Sequence, residues 1–261
     1  MSKRHLKPIA APKSWPIKRK EYAFVIKQNP GPHKLEDSMP IGLILKLLSQ
    51  VRTSREAKYV INQRKVLINK KPAKDIKSQA GLLDVIEFAD KYYRILLNKK
   101  GKLISKDITK SESNILLFKI IGKTKVKGNR MQLNFHNGFN MLVANKGKEE
   151  YNLNDVLVKE NDQIKEKINF EKGSTVYIIK GKNLGKTAKI ENIGKNPGLN
   201  NSITLSVDDR KINLPKSYVF LVGKTKPIIT TSPRVIIIDT VLFIPFRSRS
   251  RSTRVHSTLN L

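Results

Sequence analysis

Apolar and polar positions alternate differently in successive stretches of the chain. Ile41, Ile44, Leu45, Leu48 and Val51 recur at i, i+3, i+4 and i+7, which predicts a helix with Ser38 as its N-cap and Pro40 in its first turn. Thr53-Ser54-Arg55-Glu56 then reads as a capping box, in which Thr53 accepts from the backbone at Glu56 and Glu56 reaches back. The helix it opens runs to about Arg64 and has two faces. Ala57, Val60 and Ile61 lie together; at 100° per residue Arg55, Lys58, Tyr59 and Asn62 lie opposite. Lys65-Val66-Leu67-Ile68 predicts a short strand running into the polar turn Asn69-Lys70-Lys71, and residues 82–88 a further strand. Residues 93–97 and 102–105 flank the turn Asn98-Lys99-Lys100-Gly101, a hairpin signal. Further short runs, 116–121 and 131–135, are punctuated by Gly122, Gly128, Gly138 and Gly147, and several short strands with regular turns suggest a small barrel. The expected fold class is α+β, mostly β.

Residues 1–34 show neither period. They hold nine Lys/Arg against one acid, Glu21, with prolines at 8, 12, 16, 30 and 32. We expect an extended basic arm that orders on its partner, with Lys3, Arg4, His5, Lys7, Lys13, Lys18, Arg19 and Lys20 facing that partner. Trp15, the only Trp, has little use in a solvated tail, so it is a candidate for stacking or packing, as is Tyr59.

Charge narrows the partner. The 261 residues carry 52 Lys+Arg against 21 Asp+Glu, a formal net charge of +31. A compact chain of that charge repels itself, so its folded state calls for a polyanion or a salt atmosphere. Nucleic acid supplies the phosphate density, and each neutralised phosphate releases a counterion. An anionic membrane would instead concentrate the charge on one amphipathic helix or a short polybasic segment. Here Lys and Arg occur from residue 3 to residue 254, so a membrane partner is not expected. The apolar stretch 235–246 contains Asp239 and Pro245 and is too short to span a bilayer. No Cys is present, which removes thiolate metal sites and Cys nucleophiles. His5, His33, His136 and His256 are scattered without metal-ligand spacing, and no GxSxG occurs; neither catalysis, metal, cofactor nor a small-molecule substrate is expected.

Two motifs carry the chemistry. The helix with the Arg55/Lys58/Tyr59/Asn62 face, flanked by Arg52, Thr53 and Lys65 and followed by Asn69, Lys70 and Lys71, suits gripping a structured RNA backbone; the plainer reading is a solvated amphipathic helix. The segment Gly173 to Ile190 has two alternating apolar runs around Lys180-Gly181-Lys182-Asn183-Leu184-Gly185-Lys186, where Gly181 and Gly185 mark positions needing positive φ or a close backbone approach. A nucleotide-binding loop requires GxxxxGK[ST] between strand and helix. Gly181-Lys182-Asn183-Leu184-Gly185-Lys186-Thr187 is one residue short, and the residues after it alternate like a strand.

Thr53-Ser54-Arg55-Glu56-Ala57, Val60-Ile61 and Lys65 to Lys71 resemble the small S-four-type RNA-binding domain, in which many members place Gly where this chain has Arg64. The segment 173–190 resembles the KOW motif, a strand–loop–strand within a small five-stranded barrel. With the arm motifs His5-Leu6-Lys7, Ala10-Ala11-Pro12-Lys13-Ser14-Trp15-Pro16 and Gly31-Pro32-His33, residues 1 to about 233 are similar to the small-subunit ribosomal proteins of the S-four-e family; Gly81-Leu82-Leu83-Asp84-Val85-Ile86, Gly122-Lys123-Thr124 and 222–227 match as well. The resemblance implies a non-catalytic cytoplasmic component of the small ribosomal subunit, with small-subunit rRNA and neighbouring ribosomal proteins as partners. It implies an arm (1–36), an S-four-type RNA-binding domain (37–90), a central β-rich domain (91–170), a KOW small β-barrel (171–223) and a C-terminal extension (224–261). After Pro233 the chain departs from the family, with an apolar run and the Arg–Ser repeat 247–252. The alternatives are a non-ribosomal RNA-binding factor carrying the same two modules, for elongation or as an RNA chaperone, and an S-four-domain RNA-modifying enzyme.

Overall fold

The computed structural model describes residues 5–128, 130–144, 151–161, 163–194, 202–207 and 210–231. The first helical period resolves into two elements. Ser38–Pro40 is a strand (β1), and the helix α1 covers only Ile41–Leu47. Ser38 is therefore not the helix cap: it is buried, and its hydroxyl donates to the Lys34 carbonyl at 2.7 Å. The helix stops because Ser49 turns left-handed (φ 55), and the Gln50 N–H returns to the Leu45 carbonyl at 3.1 Å. Helix α2, Ser54–Asn62, opens with the expected capping box. It closes at Arg64, also left-handed (φ 55), with Arg64 N–H on Ile61 O (2.8 Å) and Lys65 N–H on Val60 O (3.4 Å). This is the double-bonded helix stop that glycine usually serves. Arginine takes it here, and the turn stays tight.

Strands β2 (Val66–Ile68) and β3 (Lys71–Pro72) form a hairpin through Asn69-Lys70, both with positive φ (49 and 66). That is the left-handed pair a two-residue hairpin turn demands. β4 (Gln79–Gly81) pairs with β1. The strand expected over 82–88 begins late, as β5 (Val85–Phe88), because Leu83 adopts φ 68 in the preceding turn. β6 (Lys91–Leu97) and β7 (Leu103–Ile108) complete a sheet of order β3-β2-β5-β6-β7. The boundary expected at 90/91 falls inside this sheet, since β5 and β6 pair from Val85↔Arg94 to Phe88↔Lys91. The turn between them is Ala89-Asp90, again with positive φ at both residues (49 and 59), and it carries no Gly or Asn to announce a hairpin.

After the single helical turn α3 (Lys110–Ser113), a second sheet has the order β10-β9-β8-β11-β12, from β8 (Ile115–Val126), β9 (Arg130–Phe135), β10 (Asn140–Ala144), β11 (Val156–Glu160) and β12 (Gln163–Ile168). A third sheet has the order β16-β15-β14-β13-β17, from β13 (Thr175–Ile178), β14 (Thr187–Ile193), β15 (Ser202–Val207), β16 (Arg210–Pro215) and β17 (Val219–Gly223). The mostly β expectation holds. Helices among the described residues are few and short.

Buried polar contacts join the three sheets. The Tyr177 hydroxyl (β13) donates to the Leu97 carbonyl at 3.1 Å and accepts from the Leu97 N–H at 3.0 Å (β6), and its burial pushes its pKa up to about 12. On β8, Lys119 donates to the Val219 carbonyl of β17 at 2.8 Å, and burial brings its amine down to about 8. Its N–H donates to His136 Nδ1 at 3.3 Å, and the His136 ring sits 5.0 Å from that of Phe220.

The described part of the arm packs on this body. Trp15 is 1% exposed, and its indole N–H donates to the Ser38 carbonyl at 2.7 Å. Leu103 N–H bonds Ser14 O at 2.8 Å, so the arm also meets β7. The described arm is thus not simply extended: one large aromatic and a set of backbone bonds hold it against the body. At its end, His33 Nε2 lies 2.9 Å from Asp84 Oδ2, with both side chains nearly inaccessible. A Cβ at Gly81 would meet the His33 ring at 2.4 Å, and one at Gly138 would meet Pro32 at 2.5 Å, so Pro32 and His33 sit between two close-fitting glycines.

Candidate nucleic-acid interface

Helix α2 separates its faces as its sequence dictates. Ala57 and Ile61 are buried against α1 and the first sheet, while Arg55, Lys58, Tyr59 and Asn62 are exposed together. Tyr59 is 65% exposed, with its ring free to stack. Arg52, Arg64 and Lys65 extend the exposed face at both ends of the helix. Glu56 is the one acid between residues 52 and 65, and its carboxylate is spent on the helix start: it accepts from Arg52 N (2.8 Å) and Thr53 N (3.4 Å), bonds that hold its pKa below the usual carboxylate range. The patch thus presents five cations around one exposed phenol, with its lone carboxylate tethered. Phosphates and a sugar–phosphate edge are the ligands such a surface fits.

Several residues expected at the interface have other work. Trp15 is a core residue, and a ring this buried cannot stack on a base; of the two roles expected for it, it takes packing and not RNA contact. Thr53 caps α2, accepting from Glu56 N at 3.2 Å. Asn69 donates to Asp84 Oδ1 (2.7 Å) and accepts from Val85 N (2.9 Å), so both ends of its amide are committed inside the protein. Lys70 pairs with Glu87 at 2.5 Å, and Lys71 Nζ stands 3.9 Å from the centre of the Phe139 ring. Arg19 clamps the arm, donating to the carbonyls of Ile9 (3.0 Å), Ala11 (3.2 Å) and Pro12 (3.1 Å). The capping-box pattern already gives the Thr53 cap, but periodicity could not foresee the Asn69, Lys70 and Lys71 roles, whose partners lie in other strands or turns.

The remaining arm residues are exposed: His5 beside Phe24, then Lys7, Lys13, Lys18 (paired with Glu21 at 2.8 Å) and Lys20. Lys3, Arg4 and the expected tail 234–261 lie outside the described residues. In the turn after β13, Lys180 and Lys182 are exposed and Lys186 is half-buried. Gly181 and Gly185 both have positive φ (102 and 75), as the turn reading required. A Cβ at Gly185 would come within 2.7 Å of the Leu97 carbonyl, so that glycine also permits a close approach to β6.

A cleft of about 530 Å³ opens where that turn meets the turn between β6 and β7, lined among others by Lys13, Gly101, Lys180 and Leu184. Lys99, Lys100 and Lys102, which flank Gly101, are exposed there. In sequence this turn signals only a hairpin, and nothing in it marks its lysines as part of an interface. Among the described residues no group of His, Asp or Glu could hold a metal ion.

The same chain pattern occurs in known proteins. Family models match at residues 2–36, the RS4NT domain, and at residues 89–172, Ribosomal family S4e. The small ribosomal subunit protein eS4 of Methanosphaera stadtmanae is 35% identical over 235 residues, covering 88% of this chain and 96% of the relative. This chain belongs to the ribosomal S4e family. Its S4e relative in Nanoarchaeum equitans is 39% identical over 197 residues, 74% of this chain and 83% of that protein. The crystal structure of the 30S ribosomal protein S4e from Thermoplasma acidophilum superimposes with a TM-score of 0.61 at 27% identity, covering 72% of this chain and 95% of that one. The S4e resemblance drawn from the arm, capping-box and glycine-turn motifs is therefore correct, and the mostly β architecture is that of the family.

Proposed function

We propose that this chain is a structural, non-catalytic constituent of the small ribosomal subunit. It holds small-subunit rRNA by neutralising backbone phosphates, and it works in the cytoplasm among neighbouring ribosomal proteins. The observation that carries this reading is the outer face of α2, where Arg52, Arg55, Lys58, Arg64 and Lys65 surround an exposed Tyr59. S4e membership supports the ribosomal setting over a KOW-type elongation factor, RNA chaperone or RNA-modifying enzyme. No helix among the described residues is long and apolar enough to cross a membrane.

In this reading residues 1–36 are a basic arm, 37–90 an S-four-type RNA-binding unit, 91–170 the central β unit, 171–223 a KOW-type barrel and 224–261 an extension. The paired helices followed by the β2–β3 hairpin support the S-four-type unit. The left-handed glycines between β13 and β14 support the KOW-type one. The S-four-type unit and the central β unit share one sheet. Sedimentation of a lysate at moderate salt tests the function. The chain should travel with small-subunit particles, and its presence in free fractions alone would overturn the reading.

A further inference from the structure

Away from α2, exposed lysines gather where three segments distant in sequence converge. Lys99, Lys100 and Lys102 sit on the turn between β6 and β7, Lys180 and Lys182 on the turn between β13 and β14, and Lys13 on the arm. No ion pair joins any of these six to an acid among the described residues.

Packing, not proximity in sequence, fixes their spacing. Leu184 reaches over Gly101, coming within 3.3 Å of where a Cβ would stand; Gly185 backs onto the Leu97 carbonyl; the Tyr177 hydroxyl closes both backbone groups of Leu97; and Ser14 O holds Leu103 N–H. Four contacts thus lock two turns and the arm into one rigid rim. Glu36 and Asp37 line the cleft inside it and repel an entering anion, so the rim is where a phosphate can rest. None of the cleft-lining residues is aromatic, so no stacking platform for unpaired bases is offered. Lysines alone, on a rigid edge, fit the repeating phosphates of a structured RNA strand.

This rim is not part of the α2 surface. No α2 residue lines the cleft. From Val66, where α2 hands over to the sheet and Phe88 pairs with both Val66 and Lys91, the 98–102 turn lies beyond the full length of β6, about 20 Å at roughly 3.3 Å per residue.

We propose that Lys13, the turn 98–102 and the turn 180–186 form a second RNA-backbone site, which takes phosphates of an RNA segment different from the one held by α2. The proposal rests on the rRNA-binding reading above. Two sites on one rigid body would fix the relative position of two RNA segments, which is what a structural ribosomal protein must do.

The test uses the full chain, a small-subunit rRNA transcript, salt-dependent affinity and crosslink mapping. K99S/K100S/K102S should reduce the slope of log K against log salt by about 2 to 3 and abolish crosslinks to one RNA segment, with thermal unfolding unchanged. R55S/K58S should reduce the slope by about 2 and abolish crosslinks to another segment. Gly185→Ala, which forces the turns apart, should cost crosslinks at the first segment while sparing the second. An unchanged slope for the turn variant beside a reduced one for R55S/K58S would overturn the second site and leave the function intact. Loss of the same crosslinks in both variants would reduce two sites to one. If no variant changed the slope, the rRNA-binding reading itself would fall.

Discussion

Tyr177→Phe removes a single oxygen and tests whether the third sheet and the first are one folding unit. That oxygen bridges Leu97 N–H (3.0 Å) and Leu97 O (3.1 Å), and Tyr177 and Leu97 are both buried. Phe fills the same space, so the loss is polar, not one of volume. Each backbone group left unsatisfied in the core costs about 1–3 kcal/mol. Two such groups, with partial relief from local adjustment, give an expected loss of about 2–4 kcal/mol. Trp15 is the only tryptophan and lies in the core shared by the arm and the first sheet, so its fluorescence reports that side of the junction. Far-UV circular dichroism reports all the sheets. In urea, with a slope of about 3 kcal/mol/M, the midpoint seen by Trp15 should fall by about 1 M, together with that seen by circular dichroism. An unmoved Trp15 midpoint, with only part of the dichroism signal shifting, would refute the coupling: the third sheet would then unfold by itself. A loss below about 0.5 kcal/mol on both probes would refute the energetic role of the hydroxyl.

Local geometry sets four more expected outcomes. Thr53→Ala deletes the α2 cap and should lower stability by about 1 kcal/mol in thermal unfolding, with a larger relative loss of rRNA affinity if α2 is the docking element. Arg64→Gly relieves a left-handed arginine and should raise stability by about 0.5–1 kcal/mol, since strain removed from the native turn exceeds the freedom gained by the unfolded chain. His136 is lowered to about 4, chiefly because burial disfavours its charged form, although Asp84 pulls the other way. Its neutral form therefore stabilises the fold above pH 6.5, and that contribution is lost as pH falls from 6.5 towards 4, by up to about 3 kcal/mol. His136→Gln should flatten the acid limb of the stability profile; an unchanged limb would show that other groups set it. The His33–Asp84 pair runs the opposite way. Burial opposes the charge on His33, but the Asp84 carboxylate overrides it and raises the pKa. Its contribution is complete below pH 6.5 and fades as pH rises through that raised value, so His33→Gln should cost more at pH 6 than at pH 8.5.

Near neighbours in the chain were legible from the residues alone. The α2 capping box and its two faces need only Thr53 to Asn62, and the structure returns both. The left-handed glycines 181 and 185 were legible because glycine is the default for that conformation. Where other residues occupy it, the signal vanished. Ala89-Asp90 hid a hairpin, and Leu83 delayed β5. Ser38 looked like a helix cap because its pairing with Gly81 is set 43 residues further along the chain. The interface suffered most from this limit. Asn69, Lys70 and Arg19 look like RNA ligands in a string of letters, but Asp84, Glu87 and three carbonyls take them first. Conversely, the lysines of the 98–102 turn gain their meaning only when Leu184 and Gly185 bring a second lysine turn alongside.

The docked arm changes when conformational entropy is lost. A segment that folds onto RNA must surrender about 1–2 kcal/mol of backbone freedom per residue at the moment of binding, and its affinity is reduced accordingly. Here Trp15, Arg19 and His33 have already imposed that order during folding. Lys7, Lys13 and Lys20 are thus held at set separations by the fold itself. Such a preorganised surface can select an RNA that already has the matching shape and discriminate against one that does not. An arm so ordered can contribute shape as well as charge to an rRNA contact.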